Sequence, residues 1–263
     1  MHVVSQPAEL SQYEGCAFVP TMGALHEGHL SLIREAKQQS LPVVVSIFVN
    51  PEQFAPNEDF DKYPRNLEQD IDFAQEAGAD VIFAPEVGVI YPEEPPEIAL
   101  PRIATEPELE DACRPTHFRG VCLVVARLFD LVQPACAIFG EKDYQQFLVI
   151  KHLVKNEGAR WNDLQVVGAP IIRDQDGLAL SSRNRYLSTD ARSQALAIHR
   201  ALEEPSEQRM IEMLDQHGLE VEYAVIRDAD TLREPTSDKP RRVLIAASVD
   251  GIRLIDNGVL ERT

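Results

Sequence analysis

Residues 17–39 read AFVPTMGALHEGHLSLIREAKQQ, and the change of character inside this stretch decides the fold. Ala17 to Pro20 is a short apolar run, broken off by Pro, Thr and Gly, whereas Leu30 to Gln39 reads as a helix. A strand, a glycine-bearing loop and a helix in that order open a strand–helix–strand unit, and Val43 to Val49 (VVVSIFV) supplies the next strand. It is a β-branched run with no polar residue beyond Ser46, the pattern of a strand covered on both faces. Outward from there, a polar loop passes through Pro51, Pro56 and Pro64, and a helix is predicted from about Asn66 to Ala77. A strand follows at Asp80 to Ala84, and Pro85 to Pro101 is Pro-rich and irregular. Val121, Val124, Val125, Leu128 and Val132 recur at helical spacing, followed by a strand at Ala135 to Phe139 and a helix from Tyr144 onward. Strands alternating with helices of this length predict an α/β fold with a parallel sheet.

After about Ile172 the pattern changes. Ser188 to Asp190 marks a helix start, with Ala195, Ile198 and Leu202 along one face, and a second helix covers Glu207 to Gln216. Three strand candidates follow at Val221 to Ile226, Val243 to Val249 and Ile252 to Ile255. Asp250-Gly251 between the last two signals a hairpin, because a type I′ turn needs positive φ at both central residues. Two helices and a small antiparallel sheet predict a separate α+β domain, giving a first domain at 1–171 and a second at 172–263.

The 263 residues, 44% hydrophobic, suffice for a real core. No apolar segment approaches the roughly 20 residues of a bilayer span, and the N-terminus MHVVSQPAEL lacks a basic stretch followed by an apolar run. Cys16, Cys113, Cys122 and Cys136 are scattered without a CxxC pair, as expected of buried thiols in a cytoplasmic protein. A formal charge of −18 argues against nucleic-acid and anionic-membrane partners. A chain this acidic that handles a polyanion must gather its few cations in one place.

Pro20 to Leu30, PTMGALHEGHL, lies where ligands bind in open α/β sheets, at the carboxyl end of a strand. Gly23 and Gly28 let the backbone approach a ligand, and the following helix N-terminus suits phosphate. His26 and His29, three apart, point the same way on a first helical turn and can donate to phosphate oxygens as charge builds up. Alone, the pair reads more readily as polar turn residues. As a zinc site HEGH is one residue short of HExxH and has no third ligand nearby, so no metal ligand is expected. In FGEKDYQQ, Gly140 follows a strand and Lys142 and Asp143 fall at the strand–helix junction, where Lys serves phosphates and Asp serves ribose hydroxyls. In SSRNR, the hydroxyls of Ser181 and Ser182 and the Arg183 guanidinium form a compact donor cluster. Asn50 and Gln53 follow the second strand and Gln146 the fourth, uncharged amides able to hold a hydroxy acid. Each segment has a bland alternative, an exposed loop or a surface turn.

Together they carry a resemblance. HxGH after the first strand resembles the nucleotidyl-transferring superfamily of adenylyltransferases, cytidylyltransferases and class I aminoacyl-tRNA synthetases. The string PTMGALHEGHLSLI resembles the pantothenate synthetase family specifically. FVNPEQF (48–54), CRPTHFRGV (113–121), FGEKDYQQ (139–146) and LALSSRNRYLS (178–188) resemble that family in the same order, and RLIDN fits as well. The resemblance implies a Rossmann-like sheet with helices on both faces and a small C-terminal lid domain. It also implies ATP-dependent joining of pantoate to β-alanine through pantoyl-adenylate, in a homodimer, with ATP as a substrate bringing Mg2+ and no tightly bound organic cofactor.

Residue by residue, it places ATP along Met22, Gly23, Ala24, Leu25, His26, Glu27, Gly28 and His29, then Gly140, Glu141, Lys142 and Asp143. Ile172, Leu180, Ser181, Ser182 and Arg183 complete that set. Pantoate falls to Gln53 and Gln146, with Gln53 also near β-alanine. The catalytic set is His26, His29 (the proton donor), Lys142, Ser181, Ser182 and Arg183. Arg119, Tyr63 and Asp70 match positions near the substrate pocket. Departures are Leu180 and Glu52, where the family more often has methionine or another apolar residue, and Thr116 for a common glycine. A shorter helical part around Ala201 to Gly218 is a further departure. Glu52 is expected to point to solvent. Rival readings are an adenylyltransferase acting on a phosphate, which would want more basic residues, and an ATP-binding regulatory module without catalysis. A tRNA synthetase is disfavoured by the acidic surface and the lack of a KMSKS-like string.

Overall fold

The structure, a computed structural model, describes residues 1–54, 60, 63–92, 97–161, 163–236 and 239–260. Pro56 of the expected polar loop and residues 93–96 of the Pro-rich stretch lie outside them. The elements run β1 (His2–Val4), β2 (Ala17–Thr21), α1 (Glu27–Gln38), β3 (Val43–Ile47), α2 (Leu67–Ala77) and β4 (Val81–Phe83). They continue with α3 (Val87–Ile90), α4 (Glu110–Cys113), α5 (His117–Val132), β5 (Cys136–Gly140), α6 (Tyr144–Glu157) and β6 (Gln165–Ala169). Last come α7 (Thr189–Ala201), α8 (Glu207–Gln216), β7 (Glu220–Asp228), β8 (Arg241–Val249) and β9 (Ile252–Leu260). The chain divides into two compact units: Met1–Glu141 with Gln146–Pro170, and Lys142–Gln145 with Ile171–Thr263.

The first unit is a six-stranded parallel sheet ordered β1-β4-β3-β2-β5-β6. Successive strand residues face opposite sides, and both sides are covered. Ala17, Val19, Val43, Val45, Ile82 and Ile138 pack on Leu32, Ile33 and Ala36 of α1 and on Ala74 and Ala77 of α2. Phe18 faces the other way, its ring 6.4 Å from Phe129 of α5 in an edge-on contact, with Trp161 on Phe129 at 5.4 Å. Phe18 and Phe129 are fully buried, each contributing about 1.5–3 kcal/mol. The order reverses at β2, which pairs with β3 on one side and β5 on the other. The segment after β2 therefore emerges at the topological switch of the sheet.

The second unit has the antiparallel sheet β7-β8-β9, with α7 and α8 packed through Ala195, Ile198, Met210 and Leu214 onto Val243, Ile245 and Ala247. Asp250 and Gly251 have φ of 49° and 72°, both positive as the hairpin reading requires.

Several boundaries differ from expectation. The first helix begins at Glu27 rather than Leu30, because His26 caps it. The second central strand ends at Ile47, two residues early. The Pro-rich stretch holds a helical turn, α3, and a 3-10 turn at Arg102–Ala104 follows the stretch directly. Strands β1 and β6 were not anticipated. Both lie at sheet edges: β1 is three residues long with two exposed, and β6 contains Gly168 and only one fully buried residue.

Candidate active site

The loop leaving β2 is shaped by one carboxylate. Gly23 and Ala24 have φ of 78° and 51°, which turns the Ala24 and Leu25 N–H groups toward α2. There Asp70, only 3% exposed, accepts both, at 2.9 Å from Ala24 and 2.7 Å from Leu25. A Cβ at position 23 would lie 2.8 Å from Asp70 Oδ2 and 3.1 Å from the Ile47 side chain. Glycine is therefore needed there for space as well as for φ. Thr21 Oγ1 completes the turn, accepting from Gly23 N at 3.2 Å and donating to the Ser46 carbonyl at 2.7 Å. Asp70→Asn keeps the shape but turns one acceptor into an N–H2 facing an N–H. It is expected to lower unfolding free energy by about 2–3 kcal/mol and to lower turnover through the displaced loop. Denaturant melts and initial rates on the same protein check this, and wild-type values for both would refute it.

That loop delivers the histidines as a reciprocal cap. His26 is the N-cap of α1 with extended φ/ψ of −138° and 174°, so it precedes the first helical turn on which the sequence placed it. Its Nδ1 accepts from Gly28 N at 3.1 Å, and His29 Nδ1 accepts from His26 N at 3.4 Å. The rings lie 4.1 Å apart between centroids. With both Nδ1 atoms accepting, the neutral rings carry their protons on Nε2. The pair thus presents two Nε2–H donors beside the partial positive charge of a helix N-terminus. Glu27 is exposed and pairs with Arg34.

Gln53, in the 3-10 turn Pro51–Gln53, sits at the end of a directed chain of hydrogen bonds. Tyr91 O–H donates to Asn50 Oδ1 at 2.6 Å, Asn50 Nδ2 donates to Gln53 Oε1 at 3.0 Å, and Gln53 Nε2 reaches Met22 Sδ at 3.0 Å. Burial, with Glu52 nearby, pushes the Tyr91 hydroxyl well above its ordinary range, so it remains a donor at neutral pH. The chain fixes the amide of Gln53 with its N–H2 toward Met22. The main chain of Gln53 is held as well. His117 Nδ1–H donates to its carbonyl at 3.1 Å, and Arg114 Nη1 lies 3.3 Å from His117 Nε2. Gly120 lets α5 come this close: a Cβ there would be 2.1 Å from the Glu52 carbonyl oxygen.

In the second unit, Ile172 and Leu180 are joined by a Leu180 N–H to Ile172 carbonyl bond of 2.9 Å, with a bridge between Arg173 and Ala179. Ser181 caps the 3-10 segment Ser182–Tyr186, its Oγ accepting from Arg183 N at 3.3 Å. Asn184 Nδ2 pins the turn to the Ala179 carbonyl at 3.0 Å. Lys142 is half-buried, its Nζ 3.7 Å from Asp143 Oδ2.

The structure thus brings Met22, Gln53 and the His26–His29 loop together in the first unit, and Ile172 and Leu180–Arg183 together in the second. Gly140 ends β5 and Glu141 opens the 3-10 turn that follows, with the Glu141 side chain over Gly168 of β6, and Gln146 is half-buried near the start of α6. Glu52 and Arg119 are exposed, and Tyr63 is buried against Phe54 at 5.8 Å between ring centroids. Sequence reasoning missed Tyr91, Arg114 and His117; the last two were visible only as members of the CRPTHFRGV string. Among the described residues, no group of three or more His, Cys, Asp or Glu is placed to hold a metal ion, and no helix is long and apolar enough to cross a membrane.

Residues 2–259 match the family model described as pantoate-beta-alanine ligase. A pantothenate synthetase of a Nocardioides species is 45% identical over 264 residues, covering 93% of this chain and 78% of that protein. One from Acinetobacter baumannii is 46% identical over 255 residues, covering 91% and 88%. The crystal structure of pantothenate synthetase from Thermus thermophilus superposes with a TM-score of 0.87 at 43% identity, covering 98% of this chain and 99% of that one. The Francisella tularensis pantoate-beta-alanine ligase, solved with beta-gamma ATP and beta-alanine, gives 0.83 at 34% identity, covering 100% and 99%. A match over this span of the sequence, together with the capped histidine loop and the amide-lined turn beside it, makes the chain a member of the pantoate–β-alanine ligase family.

Proposed function

We propose that the chain uses these residues to condense pantoate with β-alanine in two steps, consuming ATP and releasing AMP and pyrophosphate. In the first, a carboxylate oxygen of pantoate attacks the α-phosphorus as the bond to the leaving pyrophosphate breaks. In the second, the amine of β-alanine attacks the acyl carbon, AMP departs with the bridging oxygen, and the amine sheds a proton. The observation that carries the reading is the His26–His29 cap. Two Nε2–H donors and a helix N-terminus are prearranged where negative charge develops, so little reorganisation is needed as it appears.

Lys142, Ser181, Ser182 and Arg183 take the triphosphate, Asp143 the ribose hydroxyls, and Leu180 the adenine. Gln53 offers its N–H2 to pantoate, and Gln146 joins it. An amide binds the hydroxy acid without neutralising its carboxylate, which leaves the nucleophile intact. Magnesium enters as MgATP, since the donor set offers phosphate-facing cations and hydroxyls rather than a carboxylate cage. A homodimer in the cytoplasm belongs to the same reading, supported by the family resemblance and, for the compartment, by the scattered cysteines.

Pyrophosphate–ATP exchange with magnesium and pantoate, β-alanine omitted, tests the reading. Pantoate-dependent exchange is the expected result. A chain that binds ATP yet shows no exchange would overturn the pantoyl-adenylate route and favour the adenylyltransferase alternative.

A further inference from the structure

The second unit grips Lys142 by its main chain, from a strand more than a hundred residues away in sequence. Asn257 of β9, 2% exposed, donates through Nδ2 to the Lys142 carbonyl at 2.8 Å. Its Oδ1 accepts from Arg242 Nε at 2.7 Å, so a flipped amide would set N–H2 against N–H. Arg242, itself buried, lays its guanidinium on the Tyr144 ring with Cζ 3.6 Å from the centroid, and Tyr144 O–H donates to the Ala229 carbonyl at 3.0 Å. The segment Lys142–Tyr144 is therefore clamped at both ends.

The neighbouring residue secures the other phosphate-facing segment. Asp256, also buried, accepts from Asn257 N at 2.8 Å and takes the Arg173 guanidinium at 2.6 and 2.9 Å. Arg173 Nη1 also donates to the Gly177 carbonyl at 3.1 Å, inside the hairpin that leads to Ser181–Arg183. Buried polar side chains in a small sheet bear a desolvation cost that apolar residues would avoid. Here each hydrogen bond at Asn257 fixes the geometry of a main chain or of the group that orients it.

A lysine head group on a flexible four-carbon stem is placed only as well as the backbone that launches it. We infer that Asn257, oriented by Arg242, is a positioning residue for Lys142 in adenylate formation. This rests on the assignment of Lys142 to the triphosphate.

Asn257→Asp tests it in the full chain. The substitution keeps size and the Arg242 partner but loses the donor to the Lys142 carbonyl and opposes oxygen to oxygen. Pantoate-dependent exchange is expected to fall roughly 10- to 100-fold in kcat, with a smaller change in KM for ATP. In a Lys142→Ala background the same substitution is expected to cost nothing further, since the interaction it served is gone. Arg253→Ala, in the same strand but in an exposed pair with Glu222, is expected to leave the rate unchanged. If Asn257→Asp does not fold, Asn257→Ala, which buries no new charge, takes its place with the same expected split. Wild-type exchange in the Asn257 variant, or an equal loss with and without Lys142, overturns the inference alone. Absence of exchange in the unsubstituted chain overturns the ligase mechanism and this inference with it.

Discussion

Replacing Lys142 with alanine is expected to lower pantoate-dependent pyrophosphate exchange by roughly 10²- to 10³-fold, the usual loss when one preorganised group is removed from developing charge. The structure supplies the reason the effect should be catalytic rather than structural. The Lys142 side chain is 21% exposed and its ion pair is with Asp143 at 3.7 Å. A partly exposed pair of that kind contributes about 0–1 kcal/mol at most. What holds the segment does not involve the Lys142 side chain: the Asn257 bond to the Lys142 carbonyl and the Arg242–Tyr144 stack both survive truncation beyond Cβ. Thermal unfolding should therefore stay near wild type while the rate collapses. In the proposed mechanism a chain of formal charge −18 has few other cations to offer the triphosphate, so the loss is not expected to be made up by a neighbour. Undiminished exchange in Lys142→Ala would remove Lys142 from the triphosphate and with it the main cation of the proposed mechanism.

What the sequence made legible was whatever its own neighbours encode. The central strands announce themselves because burial on both faces leaves them nearly free of polar residues, and Asp250-Gly251 announces a turn because few other pairs tolerate its φ values. The histidines were legible as a pair, but their geometry was not. Spacing alone put both on one helical turn, whereas His26 caps the start of the helix by accepting from Gly28 N, and the pairing comes from reciprocal capping. Edge strands β1 and β6 carry little periodicity because one side of their ladder has no partner and few of their residues are buried. Long-range hydrogen bonds were the least visible. Tyr91 sits in a Pro-rich stretch and acts through Asn50, 41 residues away, and Asn257 reaches Lys142 across 115. Neither separation leaves a local pattern, so RLIDN could be matched as a string but not read as a clamp.

Gly120→Ala adds one methyl group and is expected to cost both stability and pantoate recognition. The new Cβ would stand 2.1 Å from the Glu52 carbonyl oxygen, 2.4 Å from its carbon and 2.6 Å from Gln53 N. These are backbone atoms, so no side chain can swing aside; the turn Pro51–Gln53 must back away from α5. Overpacking of this kind costs about 1–3 kcal/mol. The retreat also strains every tether of Gln53 that runs to or through α5: Asn50 Nδ2 to the Gly120 carbonyl at 3.1 Å, and His117 to the Gln53 carbonyl. Since a misplacement of about 1 Å can cost on the order of 10²-fold, KM for pantoate should rise at least roughly tenfold, with KM for ATP changed far less. Gly88→Ala is the matched control, because a Cβ at that position of α3 meets nothing within 4 Å. It should leave both constants alone and, as alanine in a helix, be neutral or slightly stabilising. If Gly120→Ala behaved like Gly88→Ala, the close approach of α5 to the Gln53 turn would not exist in solution. The amide would then owe its placement to Tyr91 and Asn50 alone, and Tyr91→Phe would become the variant in which pantoate binding fails.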